Sequence, residues 1–219
     1  MSKPSFSRWF LPLPGLAAAL VMALVGGCGS LLPKRVAPPL VYTLDGARDS
    51  HPATPSPSMS ASAPTLLINP TRAAPGYDSP RIVYVRVPHQ LEHFAHSDWA
   101  DNPARMLEPL IVSAVQNSGG FRAIGPATSG IAGELRLDTE VLRLQQEFGG
   151  GPSRVRFTLR ATLSDSRTRQ VVSWREFDET VVSASEDAYG GVVAANRAAL
   201  LVMEQMARFC TSASETWRR

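Results

Sequence analysis

The strongest constraint on the fold is a strict alternation of apolar and polar residues over positions 154–163. The apolar residues occupy every second position: Val155, Phe157, Leu159, Ala161 and Leu163. The positions between them are all arginine or threonine. Because successive side chains of a β-strand point to opposite faces of the sheet, this pattern predicts a strand with one buried and one exposed face.

The segment upstream alternates too, but its phase changes. Odd positions are apolar or β-branched through Val141, whereas Leu142 and Leu144 hold even positions. A two-residue period changes phase only where a strand carries an extra residue, so we predict a β-bulge near Val141–Leu142. The glycine-rich sequence at 148–152 predicts a turn that closes an antiparallel hairpin. The register then pairs Leu142 with Leu159, Leu144 with Phe157, Leu137 with Leu163, and Glu140 with Arg160.

Five shorter segments predict the remaining strands. They cover 40–44, 65–68, 81–87, 121–124 and 170–182. In the last of these we expect Val172, Trp174 and Phe177 to be core residues. Residues 45–63 are rich in proline, serine and alanine, which predicts a mobile loop.

The first of two predicted amphipathic helices covers 99–117. Asn102 is placed as its N-cap, with Pro103 at the first helical position. Its apolar residues recur as adjacent pairs every four positions: Met106 and Leu107, Leu110 and Ile111, Ala114 and Val115. Pro109 lies inside this pattern, so either the helix kinks there or its regular part begins near Glu108.

The second predicted helix covers 187–210, and the polar tail 211–219 is expected to fray. Its apolar stripe consists of Val192, Ala195, Ala199, Val202, Met203, Met206, Phe209 and Cys210. The sequence therefore predicts one α/β domain over 40–210, in which a mixed, mostly antiparallel sheet is packed by two long amphipathic helices.

The N-terminus has the organisation of a secretory signal. Lys3 and Arg8 precede an apolar run that is short for a bilayer span and ends at Cys28. The tetrad Val25-Gly26-Gly27-Cys28 resembles the lipobox of bacterial lipoproteins, which implies cleavage of residues 1–27 and acylation of Cys28. Residues 28–39 would then be a lipidated tether, and the absence of aspartate after Cys28 favours the outer membrane.

Removal of the signal changes the charge argument. The net charge of the chain is +3, and Lys3 and Arg8 leave with the signal while no acid does, so the mature chain is close to neutral. The composition therefore does not favour a nucleic-acid partner. With Cys28 acylated, Cys210 has no partner for a disulfide, and its place on an apolar helix face predicts a buried, unreactive thiol.

Sequence signatures of catalysis are missing. The chain has no phosphate-binding G-x-x-x-x-G-K-[ST] loop, no G-x-S-x-G elbow, no H-E-x-x-H and no paired C-x-x-C motif. His89, His93 and His96, near Glu92 and Asp98, have spacings that a helical metal site would use. Pro88 and Pro103 flank them, so we interpret the histidines as solvated residues of a loop, with a metal site as the alternative.

A basic stripe lies on the predicted outer face of the strand at 154–163. Arg154, Arg156 and Arg160 share that face. One interpretation is a solvated face on which these residues pair with Glu140 and its neighbours. The alternative is a docking face for an acidic partner or a lipid head group.

Several features recur in one order behind the cysteine. They are Tyr42-Thr43-Leu44, Ile82-Val83-Tyr84-Val85-Arg86, Leu91 to Phe94, Trp99-Ala100-Asp101, Asn117-Ser118-Gly119-Gly120-Phe121-Arg122 and a final amphipathic helix. This order resembles the ABC-type transport auxiliary lipoprotein family over Leu40 to Cys210. The resemblance implies a periplasmic, lipid-anchored and non-enzymatic subunit with no cofactor and no catalytic or metal site.

The same resemblance implies partners. They are an MCE-domain protein, a permease and a separate ATPase of an intermembrane lipid transport system, with ring-like homo-oligomers as a further expectation. We expect the docking surface to include part of 88–98, because Leu91, Phe94 and the adjoining Trp99 are apolar residues in a polar segment. The alternative for these three is that they fix the segment to the core. Rival functions are an outer-membrane assembly lipoprotein and a histidine-based metal-binding envelope protein.

Overall fold

The alternating segments form the longest strands of a nine-stranded sheet. The computed structural model describes residues 38–46 and 62–218, and the strand count refers to these residues. The strands are β1 (Leu40–Tyr42), β2 (Thr65–Ile68), β3 (Arg72–Ala73), β4 (Arg81–Val85), β5 (Glu92–Trp99), β6 (Ala123–Pro126), β7 (Leu135–Glu147), β8 (Arg154–Asp165) and β9 (Val171–Val182). The helices are α1 (Pro103–Asn117) and α2 (Ala188–Trp217), and a short 3₁₀ turn covers Ala127–Ser129.

Strand β7 organises the sheet. One of its edges pairs with β8 over the whole length, and β8 pairs with β9, both in antiparallel fashion. Its other edge pairs in turn with β2, β3 and β4, all parallel. The sheet extends from β2 to β6 by a parallel pair, and from β4 through antiparallel β5 to parallel β1. The predicted fold class is confirmed, and most of the antiparallel pairing joins the three longest strands, β7, β8 and β9.

The predicted bulge is confirmed. The register of β7 against β8 shifts between Val141 and Arg143, which leaves Leu142 as the extra residue. The predicted pairs of Leu137, Glu140 and Leu144 are also present. The predicted pair of Leu142 with Leu159 is wrong, because Val141 takes that position.

Both helices pack into the same core as the inward faces of β7 and β8. Its fully buried residues include Leu66, Leu107, Ile111, Phe121, Leu135, Leu137, Phe157, Leu159, Leu163 and Met206. The predicted stripe of the second helix is buried throughout. None of the helices in the described residues is long and apolar enough to cross a membrane.

Helix α1 begins at the predicted cap, Asn102, and the predicted start at residue 99 is wrong, because Trp99 ends β5. Asn102 Oδ1 accepts a hydrogen bond from the amide of Ala104 at 2.9 Å, and Pro103 is the first helical residue. The helix runs unbroken through Pro109, so the alternative of a regular part that begins near Glu108 is wrong.

Three other expectations need correction. The segment at 92–99 is a strand rather than a loop, because β5 is paired on both edges. The tail does not fray at residue 211: α2 continues to Trp217, whose Nε1 donates to Asp165 Oδ2 at 3.1 Å. Trp174 is 61% exposed, whereas Phe177 is buried and Val172 packs at the edge of the core.

Candidate docking surface

Residues 86–91 connect the antiparallel strands β4 and β5, and we call this turn the hairpin tip. Arg86 Nε donates to Glu92 Oε1 at 3.0 Å, and Tyr84 Oη donates to Glu92 Oε2 at 3.2 Å. These bonds, chiefly the one from Arg86, hold the pKa of Glu92 below its usual value. Within the tip, the amide of Gln90 donates to the carbonyl of Val87 at 3.1 Å.

The hairpin tip presents apolar side chains to solvent. Val87 is 55% exposed and Leu91 is 42% exposed. Next to the tip, the ring of Phe94 lies 4.7 Å from that of Tyr84, which in turn lies 5.8 Å from Phe148. The tip is therefore an exposed apolar turn supported by an aromatic cluster.

The three apolar residues predicted for docking occupy different environments. Leu91 is exposed at the tip, and its Cδ1 lies against Gly76. Phe94 is half-buried in the aromatic cluster. Trp99 is only 4% exposed and belongs to the core, so it leaves the candidate docking set and agrees with the alternative of a residue that fixes the segment to the core.

The three histidines do not converge. His89 lies in the tip with a positive φ of 69°, while His93 and His96 belong to β5. Among residues 38–46 and 62–218, no group of three or more His, Cys, Asp or Glu side chains is placed to hold a metal ion.

The basic stripe lies on the outer face of β8, where acids oppose it. Arg156 Nη2 lies 2.5 Å from Asp178 Oδ2, and this bond lowers the pKa of Asp178. Arg160 contacts Glu176 at 2.6 Å and Glu140 at 3.4 Å. Arg154 lies 3.7 Å from Glu147. Each arginine thus has a carboxylate neighbour, which agrees with the interpretation as a solvated, internally paired face.

A groove that the sequence reasoning missed runs between α1 and α2. It has a volume of about 1110 Å³ and begins at residues 43–46, which follow β1. The sequence signal for this groove is the set of adjacent apolar pairs that recur every four positions along α1. Its inner members, Leu107, Ile111 and Val115, are fully buried, whereas the neighbours that precede them are half-buried and line the groove: Met106, Leu110 and Ala114. The apolar face of α1 is therefore wider than the core requires.

The structure describes only one of the two cysteines, Cys210. Cys210 is fully buried, and burial raises the pKa of its thiol to about 12, so the predicted buried thiol is confirmed. Cys28, with the signal and most of the tether, lies outside the described residues.

Comparison with known protein families shows the family to which the chain belongs. The model of the ABC-type transport auxiliary lipoprotein component family matches residues 42–207. The chain belongs to this family. No curated protein matches the chain.

Solved structures agree with the family assignment. The chain is similar to protein XCC0632 of Xanthomonas campestris, a DUF330 protein, at 25% identity and a TM-score of 0.66, over 81% of this chain and 95% of that one. It shares its fold with an uncharacterized protein at 14% identity and a TM-score of 0.59, over 80% of this chain and 99% of that one.

Proposed function

We propose that the chain is a non-enzymatic, lipid-anchored subunit of an MCE/ABC-type intermembrane lipid transport system. Membership in the auxiliary lipoprotein family carries this proposal. The subunit has a positional role: its tether keeps a docking surface within a limited distance of a membrane, and this surface contacts the transport complex.

The proposed anchor is Cys28, acylated after removal of the signal. Nine residues lie between Cys28 and Pro38, where the described domain begins. A chain of that length spans at most about 35 Å when fully extended. Several acyl chains, unlike a single one, give stable anchoring. The domain therefore faces the periplasm close to the outer membrane, within reach of a partner that crosses the periplasm.

The proposed docking surface is the hairpin tip. Its exposed apolar residues, Val87 and Leu91, stand on a turn that the Arg86–Glu92 pair closes. Interface energy concentrates in a few residues, most often Trp, Tyr and Arg and less often Leu or Val. At the tip, the exposed Val87 and Leu91 lie beside Arg86, whose guanidinium lies 5.5 Å from the ring of Tyr84. The arginines of β8 support the proposal less, because each already has an acidic neighbour.

Capture of the MCE-domain subunit by the purified, membrane-anchored chain tests the proposal. We expect Leu91→Asp to lower capture about tenfold, the loss that corresponds to one interface anchor of about 1.4 kcal/mol. Phe94→Ala should lower capture less, because Phe94 is half-buried and packs against the ring of Tyr84.

The matched control is Ile131→Asp, since Ile131 is 55% exposed and lies outside the tip. Circular dichroism confirms that each variant is folded. Equal capture by folded Leu91→Asp and Ile131→Asp variants would contradict the docking surface. Capture of a β-barrel assembly protein in place of the MCE subunit would favour the rival function.

A further inference from the structure

The groove between α1 and α2 has two chemically different ends. At one end, Gly46 sits between the helices: a Cβ there would lie 3.1 Å from Leu110 Cδ2 and 3.2 Å from Leu200 Cδ2. At the other end, Thr211 Oγ1 donates to Ser118 Oγ at 3.1 Å. Residue numbers rise together on the two helices, so both helices run in the same direction along the groove.

The lining changes from apolar to polar along this direction. The first end is lined chiefly by Leu44, Met106, Leu110, Leu200 and Met203. The second end is lined by Asn117, Ser118, Thr211, Ser212 and Glu215. Two acids border the apolar half of the groove: Asp45, whose carboxylate accepts a hydrogen bond from the Thr43 hydroxyl at 3.3 Å, and Glu204, which follows Met203.

This gradient selects one kind of occupant. An amphipathic helix has its apolar stripe along its whole length, so it needs a groove that is apolar from end to end. An amphiphile with a tail at one end and a head group at the other changes polarity along its axis, as the groove does. The gradient therefore favours an amphiphile over a docked helix.

The dimensions suit an acyl chain. From Met106 to Ser118 the groove extends about 18 Å at 1.5 Å per helical residue. One leaflet contributes about 15 Å, half of the hydrocarbon thickness of a bilayer. The volume of about 1110 Å³ slightly exceeds the range of ordinary ligand pockets, about 300–1,000 Å³.

The charged residues at the polar end specify the head group. Arg208 borders the groove and bonds Glu204 through Nη1 at 2.6 Å, which leaves other guanidinium N–H donors for an anion. Arg208 also borders a second cavity, beside β9, where Arg175 adds a further positive charge. Glu215 lies seven residues after Arg208, two helical turns away on the same face. Arg208 and Glu215 are separated by about 10 Å along the helix, so their long side chains would converge on one head group, the guanidinium on its phosphate and the carboxylate on its ammonium group.

We propose that this groove binds a phospholipid with a zwitterionic head group. An acyl chain lies over Leu110, Leu200 and Met203, the phosphate faces Arg208, and the ammonium group faces Glu215. The inference extends the proposed function, because it gives the subunit a lipid site of its own in addition to a docking surface.

Photocrosslinking of the full-length, membrane-anchored chain tests the site. The chain is reconstituted into vesicles of phosphatidylethanolamine and phosphatidylglycerol in equal parts, with a trace of phosphatidylethanolamine that carries a photoreactive acyl chain. We expect adducts on peptides from α1 and from the second half of α2. Leu200→Asp should lower them about tenfold or more, because it places an unpaired carboxylate against the acyl chain.

Two further variants complete the test. Val193→Asp is the matched control, since Val193 is 44% exposed on the same helix but does not line the groove, and it should leave the yield unchanged. Glu215→Lys changes an exposed side chain and should turn the preference from the phosphatidylethanolamine probe to a phosphatidylglycerol probe of the same kind.

Three outcomes would overturn the inference. They are adducts confined to the tether, equal yields from Leu200→Asp and Val193→Asp, or an unchanged head-group preference in Glu215→Lys. Capture of the MCE subunit is measured on the same samples. Intact capture without groove adducts refutes only the lipid site, and groove adducts without capture refute only the docking function.

Discussion

Replacement of Asn196 by alanine should destabilise the wall of the groove. Asn196 is 8% exposed, and its side chain makes four hydrogen bonds. Its Oδ1 accepts from the amides of Asp45 and Gly46, each at 3.0 Å. Its Nδ2 donates to the carbonyl of Thr43 at 3.0 Å and to that of Val192 at 3.1 Å. The side chain of Asn196 thus attaches the backbone of residues 43–46, which follow β1, to helix α2.

The expected loss of unfolding free energy depends on how many of these four backbone groups become accessible to water after the substitution. Thr43 is exposed and Asp45 is half-buried, so water replaces part of their lost bonding. Gly46 is buried, so its amide keeps most of the penalty for an unsatisfied donor. At about 1–3 kcal/mol for a fully unsatisfied buried group, we expect Asn196→Ala to lower the free energy of unfolding by about 2–4 kcal/mol.

Calorimetry and amide hydrogen exchange measure this effect. For a domain of this size each kcal/mol lowers Tm by about 2–4 °C, so Tm should fall by about 5–15 °C. The amides of Asp45 and Gly46 should lose protection. Asn196→Asp is the matched variant, because its carboxylate still accepts from both amides but no longer donates to Thr43, so protection of the amides should persist. A loss below about 0.5 kcal/mol in Asn196→Ala, typical of surface substitutions, with both amides still protected, would refute the reasoning.

Three further outcomes are expected. Cys210 should resist iodoacetamide at neutral pH until the protein is unfolded, because burial raises its pKa to about 12; labelling at the same rate in both states would contradict this. Asp187→Ala should lower Tm at neutral pH, because the carboxylate caps α2 by accepting from Gly190 at 2.8 Å. That bond lowers the pKa of Asp187 in the folded protein. The stabilisation by the carboxylate is therefore fully present above the pKa of Asp187 in the unfolded chain, and it is lost as pH falls through the pKa in the folded protein. Thermal melts across acidic pH should show the Tm values of Asp187→Ala and the unsubstituted protein converge. Trp174→Ser should change the free energy of unfolding by less than about 0.5 kcal/mol in a denaturant titration, since the residue is 61% exposed.

The sequence predicts the β7–β8 hairpin well because one face of it is buried. A buried face makes a one-residue slip unfavourable, so the phase change at Leu142 locates the bulge. The same pattern does not say which residue is looped out, and the predicted partner of Leu159 was therefore off by one. The cap of α1 was predicted from local chemistry, because Asn102 bonds an amide only two residues away. The second helix was predicted to start at Asp187, but the capping bond of Asp187 to Gly190 was not predicted.

Other features depend on pairing and packing between distant residues. Strand β5 has weak alternation, and it is a strand because β4 and β1 flank it. Trp174 and Phe177 are three positions apart, so a regular strand does not bury both, and the buried position went to Phe177. The end of α2 is held by the contact of Trp217 with Asp165, 52 residues earlier.

The candidate sites were only partly predictable for the same reason. Leu91 was identified as an apolar residue in a polar segment, and it is exposed at the hairpin tip. The groove needs α1 and α2 side by side, which the sequence of neither helix specifies. Its signal, the paired apolar stripe of α1, becomes interpretable only once the inner members of the pairs are known to be buried.

Site-specific crosslinking in living cells tests the central claim most directly. A photoreactive amino acid is placed at Leu91 in the full-length lipoprotein, and at Val171, which is 58% exposed on β9, as the matched position. The account predicts that position 91 crosslinks to the MCE-domain subunit and that position 171 does so far less. Equal crosslinking from both positions, or crosslinks from position 91 to β-barrel assembly proteins, would contradict it.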